Sequence, residues 1–108
     1  MAAKKKPSPR TARRTADRAA SKLADARTRL AALEEGGSPA RPIEITSASL
    51  VELTATSRPC PRCDGALRVE EHAARTIDGV PLRLAHVRCP TCGHARTVYL
   101  RIVTTLPS

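Results

Sequence analysis

The stretch CPRCDGALRVEEHAARTIDGVPLRLAHVRCPTC, residues 60–92, opens and closes on Cys-Pro-x-Cys and holds all four cysteines of the chain. Two residues between cysteines let a tight turn present both sulfurs to one ion. The interval 64–88 is the length of one hairpin that brings the second pair back to the first. Asp78-Gly79 between Ile77 and Val80 is a two-residue hairpin signal. Leu67 and Val69 alternate with Arg68 and Glu70, the period-two pattern of a half-buried strand. Leu82 and Leu84 share one face of the returning strand, which delivers Cys89. A third strand follows Cys92, with Val98, Leu100 and Ile102 on one face and Tyr99 and Arg101 on the other. The expected fold is therefore a small metal-stabilised β unit, a three-stranded antiparallel sheet closed at one end by the ion.

Zinc accepts four thiolates in a closed tetrahedral site. One structural Zn2+ held by Cys60, Cys63, Cys89 and Cys92 is the expected cofactor. Proline at the second position of each turn fixes its entry, and Gly65 and Gly93 are expected to supply positive φ behind the sulfurs. The knuckles Cys60-Pro61-Arg62-Cys63-Asp64-Gly65 and Cys89-Pro90-Thr91-Cys92-Gly93 resemble those of rubredoxin-like zinc ribbons. The resemblance covers about Pro59 to Val103. It implies a ribbon fold and a metal, and it is nearly silent on activity, because this ribbon recurs in transcription factors, ribosomal proteins, polymerase subunits and enzyme appendages. The competing reading of the pairs as redox centres needs a thiolate at a helix N-terminus in a βαβ scaffold. Downstream of Cys92 the chain reads as a strand instead. Iron in place of zinc would normally sit in an aromatic-rich shell, and Tyr99 is the single aromatic residue here.

With no Phe and no Trp among 108 residues, any core is thin. Scaffolds of this size usually require a staple. A structural zinc contributes roughly 10–16 kcal/mol of folding energy, so the metal-free form is expected to be unfolded. Neither a secretory leader nor a run of about 20 apolar residues is evident. The expected setting is cytoplasmic, where paired Cys-x-x-Cys motifs hold metal or do redox work. A mitochondrial transit peptide is the alternative for the Arg- and Ala-rich start, against which Asp17 and Asp25 count.

The formal charge is +9, and ten of the nineteen Lys and Arg fall within residues 1–35. Residues 1–10 are expected to be a disordered basic tail. Residues 11–35 form a basic, Ala/Leu-rich amphipathic helix, with Ser8 as N-cap, Pro9 at its first position and Gly36-Gly37 as its stop. Its stripe is Ala12, Ala16, Ala19, Leu23, Ala26, Leu30 and Leu33. Basic residues near its start and Glu34-Glu35 at its end oppose the macrodipole, so alone it should fray. Residues 36–58 are a linker with one or two short extended pieces around Ile43 and Ile45, or a helical turn from Ser47. Residues 59–104 are the ribbon.

His72, His86 and His94 are the remaining candidate ligands or bases, each more simply read as a strand or rim residue. No nucleophile triad, phosphate loop or H-E-x-x-H motif is present. Four cysteine ligands leave zinc no open position for water. The expectation is a protein that is not an enzyme and has no small-molecule substrate or membrane partner. Two functions compete. In the first, Lys4, Lys5, Lys6, Arg10, Arg13, Arg14 and Arg18 contact the phosphate backbone of DNA or RNA. Scarce aromatic residues argue against base stacking on single strands. In the second, the chain is an adaptor or an orphan subunit of a transcription or translation complex. Ala16, Ala19, Leu23, Ala26, Leu30 and Leu33 then dock on a partner or a copy, and the ribbon's exposed strand adds to another sheet.

Overall fold

The computed structural model describes residues 8–104. A first helix, α1, runs from Pro9 to Leu33. The Ser8 hydroxyl accepts the Thr11 backbone N–H at 3.2 Å, and Pro9 needs no partner for its nitrogen. At the other end, cations arrive from outside the helix. The Arg41 guanidinium donates to the Leu33 carbonyl, and that of Arg58 donates to the Glu35 carbonyl and approaches Glu34. They offset the unfavourable order of charges within the helix itself. Gly36, at φ +86°, then turns the chain away, and its carbonyl accepts the Tyr99 N–H at 2.9 Å.

A short strand β1, Ile43–Ile45, follows, then a 3-10 turn, Ala48–Leu50, capped by Ser47 and continuing into the helical turn α2, Val51–Ala55. Three longer strands complete the chain: β2 (Arg68–Ile77), β3 (Val80–Arg88) and β4 (Ala95–Ile102). The strand order is β1-β4-β3-β2. The hairpin turns at Asp78 and Gly79, both at positive φ as a two-residue loop of this type requires.

The expected three-stranded antiparallel sheet is corrected to a four-stranded mixed one. β1 lies parallel to the end of β4, Ile43 beside Leu100 and Ile45 beside Ile102. Alternation at Ile43 and Ile45 marks the extended segment and Ser47 the helical turn after it, but the direction of β1 relative to β4 depends on the whole path through α2, β2 and β3, which no local residue announces. Leu82 and Leu84 share one face of β3, as expected, and Leu82 is buried there. Ala85 and Val87, on the opposite face of β3, pair with Val98 and Arg96 and form the larger part of the core, under α2. Leu84 pairs with Tyr99 on the leucine face. In β2 a bulge between Val69 and Glu71 shifts the phase by one residue, so that after Val69 the α2 side of the strand carries His72 and Ala74.

The core joins Val51 and Ala55 of α2 to Ile45, Leu67, Ala85, Val87, Val98 and Leu100, and it includes the sulfur-bearing Cys60 and Cys89. The cysteine end of the sheet is thus continuous with the core. The molecule extends 78 Å in one direction and 25 Å in the other two. A 25-residue helix accounts for about 37 Å of that length. Every residue of α1 from Pro9 to Leu23 is exposed. Among the described residues no helix is long and apolar enough to cross a membrane.

Candidate metal centre

Two loops with the same hydrogen-bond pattern bring the four sulfurs together. In the first, the Cys60 carbonyl accepts the Asp64 N–H at 2.9 Å, and the Cys60 N–H donates to the Gly65 carbonyl at 2.8 Å. In the second, the Cys89 carbonyl accepts the Gly93 N–H and the Cys89 N–H donates to the His94 carbonyl, both at 2.8 Å. Residues 64 and 93 occupy the same place and both have positive φ, 62° at Asp64 and 79° at Gly93. The left-handed residue of the first loop is therefore Asp64, not Gly65. Asp is among the few side chains that tolerate this region.

Gly65 has a different task. A Cβ there would lie 3.1 Å from the Cys89 sulfur and 3.2 Å from that of Cys63. Its hydrogen atom leaves the space the sulfur cluster occupies.

All four Sγ atoms lie within 4.8 Å of one another. Cys60 and Cys92 are 3.7 Å apart at sulfur, and Cys63 and Cys89 3.4 Å. A tetrahedron of sulfurs around an ion at about 2.3 Å has edges of about 3.8 Å. The four residues thus fit one metal ion. Cys60 and Cys89 are buried, while Cys63 and Cys92 reach the surface. The sulfurs differ in charge preference. The backbone N–H groups of Cys92 and Thr91, aided by the Cys63 thiol, hold Cys89 down to about 6 against burial. At Cys63 the Gly65 N–H pulls downward, but the bond to Cys89 and loss of water prevail and push it up to about 12. The opposite directions favour one thiolate and one thiol in this pair, and a bound cation would take the place of the remaining proton.

The last turns of α1 lie beside the first loop. Arg62 meets Asp25 at 2.7 Å and Arg27 meets Asp64 at 3.3 Å, two pairs with charges reversed between helix and loop. The hydrogen bond to Asp25 is the main influence raising Arg62. Sequence reasoning missed this docking. Its only signal was the charge of Arg62 and Asp64 inside a metal knuckle, which many other acids and bases of the chain could have answered.

The candidate histidines do not join the sulfurs. His94 contributes its carbonyl to the second loop; its ring is driven towards the neutral form by burial and by Arg62 and Arg96, and its Nε2 has no partner among the described residues. His86 bonds the Thr97 hydroxyl at 2.9 Å on the face away from α2. His72 lies on the α2 side of β2, with Nε2 likewise unpartnered among the described residues. Of the basic residues singled out, Arg10, Arg13, Arg14 and Arg18 are exposed on the projecting part of α1, remote in sequence from the loops. Lys4, Lys5 and Lys6, with most of the segment expected to be disordered, lie outside the described residues.

Fold and site together define a small mixed α/β protein whose sheet ends in a four-cysteine cluster positioned to coordinate a metal ion. Comparison with protein-family models, curated proteins and solved structures returns no match.

Proposed function

We propose that the four thiolates hold a single structural zinc ion in a ribbon-like module, and that the module is a non-catalytic anchor for a basic helical arm that binds nucleic-acid phosphates. Four sulfurs in a tetrahedron suit zinc or iron among biological metals. Zinc is favoured because only Tyr99 could give the site an aromatic shell. With every coordination position taken by cysteine, such an ion has no place for a substrate or an activated water.

The observation that carries the nucleic-acid reading is the state of the arm. Arg10, Arg13, Arg14 and Arg18 are exposed over the first three turns of α1, and none belongs to an ion pair among the described residues. The acids that do pair, Asp25 and Glu34, sit at the far end. A cationic rod standing clear of its domain suits a backbone of regularly spaced negative charge, and it carries no aromatic group for reading bases.

The test is binding to duplex DNA and RNA over a range of salt. With the four arginines replaced by alanine in the full chain, affinity should drop, and the slope of log K against log salt should become shallower by about 0.9 for each phosphate no longer neutralised. Unchanged affinity and slope would reject the arm as the binding element. Metal stoichiometry in gently purified protein, with cobalt substitution to read thiolate coordination, tests the zinc assignment independently.

A second reading, the adaptor, is favoured by Leu23, Leu30 and Leu33, whose exposures of 57, 59 and 67% leave an apolar edge along α1. Recovery of a protein partner that depends on these leucines, without salt-dependent nucleic-acid binding, would favour it.

A further inference from the structure

β2 is the outer strand of the sheet, and its far edge carries no backbone hydrogen bond to another described residue. Pro81 sets the phase of that edge. It stands opposite Thr76 and has no N–H to donate, so the two form an unbonded pair of the ladder. Alternating back from there, Arg75, Ala73 and Glu71 turn their N–H and C=O groups towards β3. Thr76, Ala74 and His72 turn theirs outward. A row of free donors and acceptors of this kind is a template for another strand.

The side chains indicate which strand. Glu71 lies two residues before Ala73 and Arg75 two after, and all three project from the face away from α2. Both charged residues are exposed, and neither belongs to an ion pair within the described chain. Glu70, by contrast, is held by Arg88 at 2.6 Å. The strand is therefore of opposite charge on either side of a small residue, which is the pattern that complements itself when reversed.

We propose that β2 pairs antiparallel with β2 of a second copy about a twofold axis through Ala73, fusing two sheets into one. In this register the outward N–H and C=O of His72 meet those of Ala74 in the other copy. Ala73 faces Ala73 in the close, unbonded pair, where Cα atoms approach to about 4.5 Å and a methyl group fits. Glu71 faces Arg75 at either end, so the symmetric interface gains the same cross-strand ion pair twice. Sliding the strands by two residues sets Glu71 against Ala73 or Ile77 and removes both pairs. The bulge at Glu70 and the turn at Asp78 bound the pairing. The proposal does not depend on what the arm of α1 binds.

Sedimentation of the full, metal-loaded chain tests it, with circular dichroism and metal content as controls for folding. The wild type should dimerise. Glu71→Arg and Arg75→Glu should each weaken association at least about tenfold, because each sets like charges opposite twice. The decisive step is mixing: the two singly substituted chains complement each other and should form a mixed dimer, and the doubly substituted chain should dimerise like the wild type. Amide exchange at His72 and Ala74 should slow with protein concentration. A wild type still monomeric at about 0.1 mM would overturn the proposal. So would a dimer indifferent to both reversals, a dimer abolished by Leu23→Glu on α1, or single variants that fail to restore each other on mixing.

Discussion

A methyl group at residue 65 would press on two sulfurs at 3.1 and 3.2 Å, whereas one at residue 93 would meet nothing within 4 Å. The two glycines look equivalent in the knuckle pattern and are not. Gly65→Ala should lower metal affinity on the order of 10–100-fold, the range for groups that support metal ligands, as measured by competition with a chromophoric chelator. Gly93→Asn should be nearly neutral in the same assay, since Asp64 already holds the matching left-handed position. The thiols also give the metal-free chain a pH signature. Cys89 is depressed, so its stabilising contribution is complete above the ordinary thiol value and is lost as pH falls through about 6. Cys63 is raised, so its contribution is complete below the ordinary value and is lost as pH rises towards about 12. Residual structure without metal should therefore peak near the ordinary thiol value of 9.0 and fall on both sides, followed by circular dichroism under reducing conditions.

At the level of elements, α1 is held to the sheet by its last turns alone. Asp25 and Arg27 grip the first sulfur loop, and the remainder of the helix has no comparable ion pair among the described residues. Replacing both Asp25 and Arg27 by alanine should leave the metal bound and the thermal midpoint little changed, because exposed pairs stabilise weakly. Amide exchange in α1 should accelerate throughout, since a helix of this composition frays without an anchor. Adding salt to the wild type should produce a weaker version of the same effect. The elements differ in how far the sequence announces them. Ser8-Pro9, Asp78-Gly79 and the two knuckles are local chemistry, and each stands where its residues imply, save that the left-handed position of the first knuckle is Asp64 and not Gly65. The β1 pairing, the bulge at Glu70 and the α1 docking were not legible. Each depends on distant segments meeting, and the residues involved, an Ile pair, a Glu pair and alternating charges, serve equally well elsewhere. The bulge further hid which face of β2 lies on the α2 side, since His72, half-buried, and Ala74, exposed, carry no apolar signal beyond Val69.

For the whole molecule, the continuity of core and sulfur cluster would make a bound ion a folding element. Cys60 and Cys89 are fully buried beside Val87 and Leu100, and no Phe or Trp adds to the apolar interior. Chelation of the proposed zinc should abolish the amide dispersion of the sheet, and Cys60→Ser should do the same, given the roughly 10–16 kcal/mol that such ions supply. Persistence of the native spectrum in excess chelator would refute the structural role.

Tyr99 sits on β4 in the cleft that Thr28, Ala31 and Ala32 of α1 also line, and its N–H is tied to Gly36 just past the helix. As the sole aromatic side chain, it makes the protein its own optical gauge. Phenol emission carries no tryptophan background, so its quenching by a small solute would register the helix leaving the sheet without any label being attached.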